Sequence, residues 1–337
     1  MVREVADWLS TFAGWPGPDG AILAAAIVLD LTLGDPIYPW HPTRLIGHAL
    51  SWLERRLRAL GWDGYAGGVV LFLVLASAAL ATTLGVVRAA STLAPWAGWL
   101  VSVFVVYSLL ALGDLLRHVW RIERAVRSGQ LTEARRAVGA LVGRDTDRLN
   151  EGGCRRAAVE SLSENLSDGF VSPLFWYVLL GLPGLVLFKV VSTMDSMVGY
   201  KTPAYLRFGW CGARLDDLMN FIPARLSWLA IAAIAAMLPG FSGAKAWRIG
   251  LSQHAVLLGP NAGWSEAAMA GALGRRIVGP IWLNGVQVTD VWIGAPDDAV
   301  LATSNDVVRA MTLTLIVGAT LGVGSVAVLL TWPDLVA

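Results

Sequence analysis

The run AGGVVLFLVLASAALATTLGVV (66–87) decides the class of this chain. It passes twenty-two residues without a charge. At about 1.5 Å of rise per helical residue, that length crosses the ~30 Å hydrocarbon layer of a bilayer. A second uncharged run, 89–113, follows with Pro95 near its start, and the two predict a helical hairpin with a short link around Arg88. A third, 310–332, contains Gly318, Gly322 and Gly324. The Gly318-x-x-x-Gly322 spacing would let another helix approach closely, although glycine is also simply tolerated in lipid. Residues 21–33 form a shorter apolar helix carrying Asp30, marginal as a span unless 15–22 contributes, and the turn Gly34-Asp35-Pro36 ends it.

Composition agrees with these runs. Apolar residues make up 55% of the 337 and charged residues 15%, with sixteen tryptophans suited to the headgroup layer. Mean hydropathy is +0.59. The expected fold class is a mainly α, polytopic integral membrane protein: about four transmembrane helices, a largely helical cytoplasmic domain and a small β-hairpin. Arginines interleaved with carboxylates argue against nucleic acid as a partner. Dispersed histidines argue against zinc. Cys154 and Cys211 lack metal-ligand spacing and read as free thiols. Arg3, Glu4 and Asp7 precede the first apolar run and no small-x-small site follows, so no cleavable signal peptide is expected.

Charge sets the expected topology. Residues 34–65 carry four arginines and 114–168 carry ten, against one in the N-terminal leader and none in the C-terminal tail. The positive-inside bias therefore places 34–65 and 114–309 in the cytoplasm, with spans at 21–33, 66–87, 89–113 and 310–332. This divides the chain into membrane helices with a cytoplasmic amphipathic segment (1–113), a cytoplasm-facing catalytic domain (114–309) and a C-terminal transmembrane helix. Two runs, 169–188, broken by Pro173, Gly181, Pro183 and Gly184, and 226–237, between Pro223 and Pro239, read either as buried core helices or as re-entrant segments. Residues 45–60 predict an amphipathic surface helix, and 114–136 a helix broken at Ser128-Gly129. Asn284-Gly285 predicts a two-residue hairpin turn within 281–288.

Polar residues concentrate in 142–225: VGRDTDRLN (142–150), RRAAVESLSENLSDGFVSPLFW (155–176), STMDSMVGYKTP (192–203) and GWCGARLDDLMNFIPARLSW (209–228). Glu160, Glu164 and Asp168, spaced i, i+4, i+8, fall within about 80° on one helical face. Such a stack repels itself unless Arg156 or a magnesium ion neutralises it; the alternative is a solvated charged face. Asp216, Asp217 and Asn220, flanked by Arg214 and Arg225, suit magnesium bound to phosphate oxygens, or else an Arg–Asp network at the membrane surface. Asp195 and Lys201 are further candidates, Lys201 for phosphate and Asp195 alternatively as a helix cap. Arg144, Asp145 and Asn165 are candidate nucleotide contacts, with Asp145 alternatively a cap. Asn261 precedes an Ala/Gly-rich helix and reads as its N-cap or as part of an anion site. No Walker-type glycine loop is present.

These motifs, in order over about 21–295, resemble the adenosylcobinamide-phosphate synthase family of cobalamin biosynthesis, the CobD/CbiB type. The matching residues include DLTLGDP (30–36), His41-Pro42 with 44–47, VGRDT (142–146), AVES (158–161), Glu164-Asn165, Asp168-Gly169, PLFW (173–176), 193–202, ARLDD (213–217), Asn220, IPARL (222–226) and PNAGW (260–264). Ser192 stands where the family pattern has Asn, and Ser163 where it has Ala. The resemblance implies a multi-pass protein of the inner cell membrane with its site facing the cytoplasm. It implies ATP-dependent joining of adenosylcobyric acid to (R)-1-aminopropan-2-ol or its O-phosphate, with magnesium and ATP as cofactors and a homo-oligomer as an open option. On that reading Glu160, Glu164, Asp168, Asp216 and Asp217 are metal-side groups, Arg144, Lys201, Arg214 and Arg225 contact phosphate, and Glu164 takes the amine proton. Competing readings are an intramembrane prenyltransferase using Asp216-Asp217, which needs more spans, and a non-enzymatic membrane sensor, which leaves the polar concentration unexplained.

Overall fold

The computed structural model describes residues 17–35, 38–257 and 259–335, with side chains through residue 331. The signal-peptide reading and Pro36 fall outside the described residues. The protein is mainly helical with one β-hairpin, as the composition predicts. Four helical stretches are long and apolar enough to cross a membrane: Tyr65–Leu93, Pro95–Arg127, Glu151–Val198 and Ser304–Thr331. This is the architecture of a multi-pass membrane protein.

Four spans were expected, but their membership differs. The helix Gly20–Leu33 is too short to qualify, whereas the ambiguous run after 169 belongs to the long stretch Glu151–Val198. The stretch is kinked at Gly181, one of the breaks expected from the sequence. Gly181 takes φ 65°, a conformation open to glycine, and Pro183 then sits in the first turn beyond the bend. The run after 220 forms a helix bent by 41° against its predecessor, and the pair makes a fifth crossing if it is one span.

The chain divides into two compact units, each built from separated segments: 1–111, 172–219 and 322–337 in the first, 112–171 and 220–321 in the second. The first unit contains α1 (Gly20–Leu33), α2 (Pro42–Ala59), α3 (Tyr65–Leu93) and α4 (Pro95–Leu109). Asp19 caps α1 through the amides of Ala21 and Ile22. The α3–α4 link is Ala94, not Arg88, because Pro95 drives the residue before it into extended backbone and starts the next helix. α2 is amphipathic as expected, burying Ile46, Leu50 and Leu57 against Leu71 and Leu75 of α3.

The second unit opens with α5 (Leu112–Arg127) and α6 (Leu131–Gly139), separated at the predicted Ser128-Gly129. α7 (Glu151–Leu166), capped by Asn150, runs into a π-helical turn, Ser167–Val171. Beyond it α8 (Ser172–Val198) and α9 (Trp210–Met219) return to the first unit. There Val190, Met194 and Val198 of α8 complete the α2–α3 core. α10 (Phe221–Met237), α11 (Gly243–Gln253) and α12 (Ala262–Leu273) pack closely in the second unit. Small residues make this approach possible: a Cβ on Gly271 would stand 2.5 Å from the Lys245 carbonyl oxygen. β1 (Ile277–Leu283) and β2 (Val286–Ile293) form the predicted hairpin, with Asn284 and Gly285 both at positive φ as a two-residue I′-type turn requires. α13 (Ser304–Leu335) closes the chain. Its Gly318 meets Leu112 closely, so that glycine serves helix packing, while Gly324 faces open space.

Candidate functional site

In the second unit, Arg144 reaches from the 143–150 loop to Glu160 on α7, Nη2 to Oε2 at 2.5 Å. Both side chains are largely covered, at 8% and 14% exposure. Arg156, one turn before Glu160, lies over the ring of Trp292 on β2, and Arg276 lies over the same ring. The Nε atoms of Arg144 and Arg156 are buried without a hydrogen-bond partner. A buried charged donor left open in this way is costly unless something fills it.

Glu160 and Glu164 lie on α7, and Asp168 lies in the π turn that continues it. All three carboxylates act on a fourth, Glu266, which comes from α12. Glu266 is 2% exposed and its Oε2 has no hydrogen-bond partner. Burial pushes its carboxyl well above the usual range, Glu160, Glu164 and Asp168 push it further, and Arg144 only partly opposes them. Sequence reasoning missed Glu266. The available signal was a single charged residue on an otherwise uncharged, alanine- and glycine-rich helix, just after PNAGW.

Other candidates take local roles. The Asp145 carboxylate accepts from the amides of Asn284 at 3.2 Å and Gly285 at 2.7 Å, holding the hairpin turn rather than capping a helix. Asn165 donates to Ser161, its backbone oxygen at 2.9 Å and its hydroxyl at 3.2 Å. Asn261 occupies the N-cap position of α12 but makes no side-chain cap bond. Its Oδ1 instead accepts from Arg225 at 3.2 Å. Arg225 also lies over Trp264, which stacks on His254 with 3.8 Å between ring centroids. Asn220 is buried at the bend before α10.

The first unit holds the remaining candidates. Asp217 on α9 meets Arg214 at 3.4 Å, and both are substantially exposed. Asp195 on α8 feels the Asp217 charge, brought near because Gly212 lets α9 approach α8 at Met194. Lys201 is exposed on the loop after α8. Among the described residues, no three His, Cys, Asp or Glu side chains form a preassembled metal cage. The donor set nevertheless fits magnesium, which takes hard oxygens from one or two carboxylates and completes its shell with water and phosphate. Both cysteines are buried and free, as expected.

The CobD/Cbib protein family model matches residues 23–314. A Sinorhizobium cobalamin biosynthesis protein CobD is 43% identical over 295 residues, covering 85% of this chain and 90% of that protein. The CobD of Citrobacter koseri is 42% identical, covering 80% and 85%. Cobalamin biosynthesis protein CbiB of Salmonella typhimurium is 38% identical, covering 90% and 98%. No solved structure matches the chain. The polar motifs, their order and these near full-length similarities agree: the chain belongs to the CobD/CbiB family.

Proposed function

We propose that this protein acts in cobalamin biosynthesis as a membrane-bound, ATP-dependent amide ligase. It would join adenosylcobyric acid to (R)-1-aminopropan-2-ol or its O-phosphate, giving adenosylcobinamide or its phosphate. Family membership and the printed names of the relatives support the pathway. The chemistry rests on one observation: a covered Arg144–Glu160 pair beside Arg156 and the deeply buried Glu266, with open guanidinium nitrogens in an acidic cluster. Buried guanidinium groups beside carboxylates support phosphoryl transfer, which needs fixed positive charge at the transferring group.

A carboxylate resists attack by an amine, so the acid is activated first. A carboxylate oxygen of the corrinoid attacks the γ-phosphorus of ATP, ADP leaves, and an acyl phosphate forms. The amine then adds to the acyl carbon and loses a proton, the acyl C–O bond breaks, and phosphate departs carrying the carboxylate oxygen that had attacked phosphorus. Arg144 is proposed to hold the transferring phosphoryl oxygens, with Lys201, Arg214 and Arg225 as further phosphate contacts. Glu164 takes the amine proton. Glu160, Glu164 and Asp168 in the second unit and, as a separate candidate pair, Asp216 and Asp217 in the first are the carboxylates that would hold magnesium, which when bound neutralises charge on the phosphates.

The deciding assay uses purified protein in lipid with adenosylcobyric acid, magnesium-ATP and each amine separately. Amide product and ADP should accumulate together with one of the two amines; neither amine yielding product would remove the ligase reading. The site is proposed to face the cytoplasm, where ATP is available. A single cysteine beside Asp217, in a background lacking Cys154 and Cys211, should then resist impermeant reagents applied to intact cells. Ready labelling would place it outside.

A further inference from the structure

The acid cluster of the second unit is closed. The Nε atoms of Arg144 and Arg156 and the Oε2 of Glu266 are buried without partners, so no reactant reaches them unless something moves. The helices behind Glu266 are poorly placed to part, since α11 and α12 meet backbone to backbone at Gly271. The β1–β2 hairpin is better placed. β1 packs on α7 and β2 on α12, the helices that carry Glu160, Glu164 and Glu266. Trp292 of β2 lies against both Arg156 and Arg276, and Trp282 of β1 lies under Arg148.

The hairpin is fixed at its root and clasped at its tip. At the root, the Arg276 amide donates to the Ala299 carbonyl, and the Leu301 amide donates to the Arg276 carbonyl, both at 3.0 Å. Gln253 bonds the Gly294 amide at 2.8 Å and its carbonyl at 3.2 Å. At the tip, the Asp145 carboxylate holds the turn amides, and the Asp145 amide donates to the Trp282 carbonyl at 2.9 Å. Between these ends Leu283, Val286 and Val288 are exposed and add little packing, and a two-stranded hairpin is marginal by itself. Just beyond the root, Val278 takes φ 69° and Gly279 takes φ 84°. A β-branched residue in that left-handed region is strained, and such strain collects at clamps and switches. A Cβ on Gly279 would stand 2.8 Å from the Trp292 ring, so this point touches the ring that faces Arg156.

We propose that the hairpin is a gate on the acid cluster: it turns about Val278-Gly279, is latched shut by Asp145, and opens to admit the reactants. Unlatching the tip also frees the 143–150 loop, and with it Arg144, from the position that pairs it with Glu160. Which reactants enter rests on the ligase reading; the motion does not.

The test uses the full chain in phosphatidylcholine nanodiscs, in a background lacking Cys154 and Cys211. Phenylglyoxal, which modifies accessible arginines, is read out by peptide mass spectrometry. The variant Asp145→Cys/Asn284→Cys is compared with itself, reduced and oxidised, so a folding defect cannot imitate the result. The reduced form has no latch. In the oxidised form a disulfide replaces it, within reach because the Asp145 carboxylate already bonds the Asn284 amide. Arg144 and Arg156 should react at least about fivefold more slowly when oxidised than when reduced, while the exposed Arg136 reacts alike in both. Asp145→Ala should raise reaction at the same two arginines above the wild type. Amide formation, measured in parallel, should stop on oxidation and return on reduction. Protection on oxidation with no amide from either form removes the ligase reading and keeps the gate. Amide formed equally by both forms, equal modification of Arg144 and Arg156 in both, or failure of the disulfide to form overturns the gate.

Discussion

On α7, Glu160 is held by Arg144 from a preceding loop at 2.5 Å, with both side chains largely covered. On α9, Asp217 meets Arg214 three residues away on the same helix at 3.4 Å, and the arginine is 67% exposed. The first pair exists only once the loop, α7 and their surroundings have folded. The second forms wherever the helix does. A covered pair costs desolvation and turns into a liability when one partner is lost, whereas an exposed pair is nearly free to change. Residues of one chemical type therefore carry opposite stability signatures, and function has to be tested separately from folding in each region.

Removing one partner of the covered pair should produce the largest effect. Arg144→Met leaves Glu160 without its ion-pair partner, with only the Arg156 charge near it, and should cost about 3–5 kcal/mol, abolishing ligation. The double variant Arg144→Met/Glu160→Leu should recover much of the stability by thermal melting in lipid but none of the activity. Recovery of both would make the pair purely structural.

Glu266 should give an intermediate effect that depends on pH. Its folded-state affinity for a proton is raised above the ordinary carboxyl value of 4.5, so its contribution to stability is complete below that pH and is lost as pH rises toward the raised value. Glu266→Gln lacks this loss. The stability difference between variant and wild type should therefore shift in favour of the variant from about pH 5 upward, by no more than about 1.4 kcal/mol per pH unit. A difference that stays flat from pH 5 to 8 would mean that Glu266 ionises normally.

Asp217→Asn should have the smallest effect on folding. An exposed pair of this kind contributes at most about 1 kcal/mol, so melting should hardly move. If Asp217 serves magnesium-ATP, turnover should still fall by about tenfold or more at saturating magnesium. Near-normal turnover would remove it from the site and leave the acidic cluster of the second unit as the reacting centre.

Much of the architecture was legible because its causes are local. Uninterrupted apolar length gave α3 and the 310–332 helix, Ser128-Gly129 gave the α5–α6 break, and Asn284-Gly285 gave the hairpin turn. The misplaced α3–α4 link shows that a single Arg88 does not end a helix that runs on to Leu93, just before Pro95. The glycine at 181 marked its own bend, but the π turn at Ser167–Val171 was not legible, because it depends on packing that the helical period alone does not encode. Glu266 was missed for a related reason: only the close approach of α10, α11 and α12 buries it among other carboxylates. Asp145 was noticed for its charge, yet its partners are amides about 140 residues away in sequence.

The central claim is that the acid is activated by phosphoryl transfer before the amine attacks. The most direct measurement labels both oxygens of the reacting corrinoid carboxylate with heavy oxygen and follows a single turnover with magnesium-ATP and the productive amine. The account predicts one label in inorganic phosphate, the other in the amide, and ADP as the nucleotide product. Label in AMP with release of pyrophosphate, or both labels absent from every phosphate product, would contradict it.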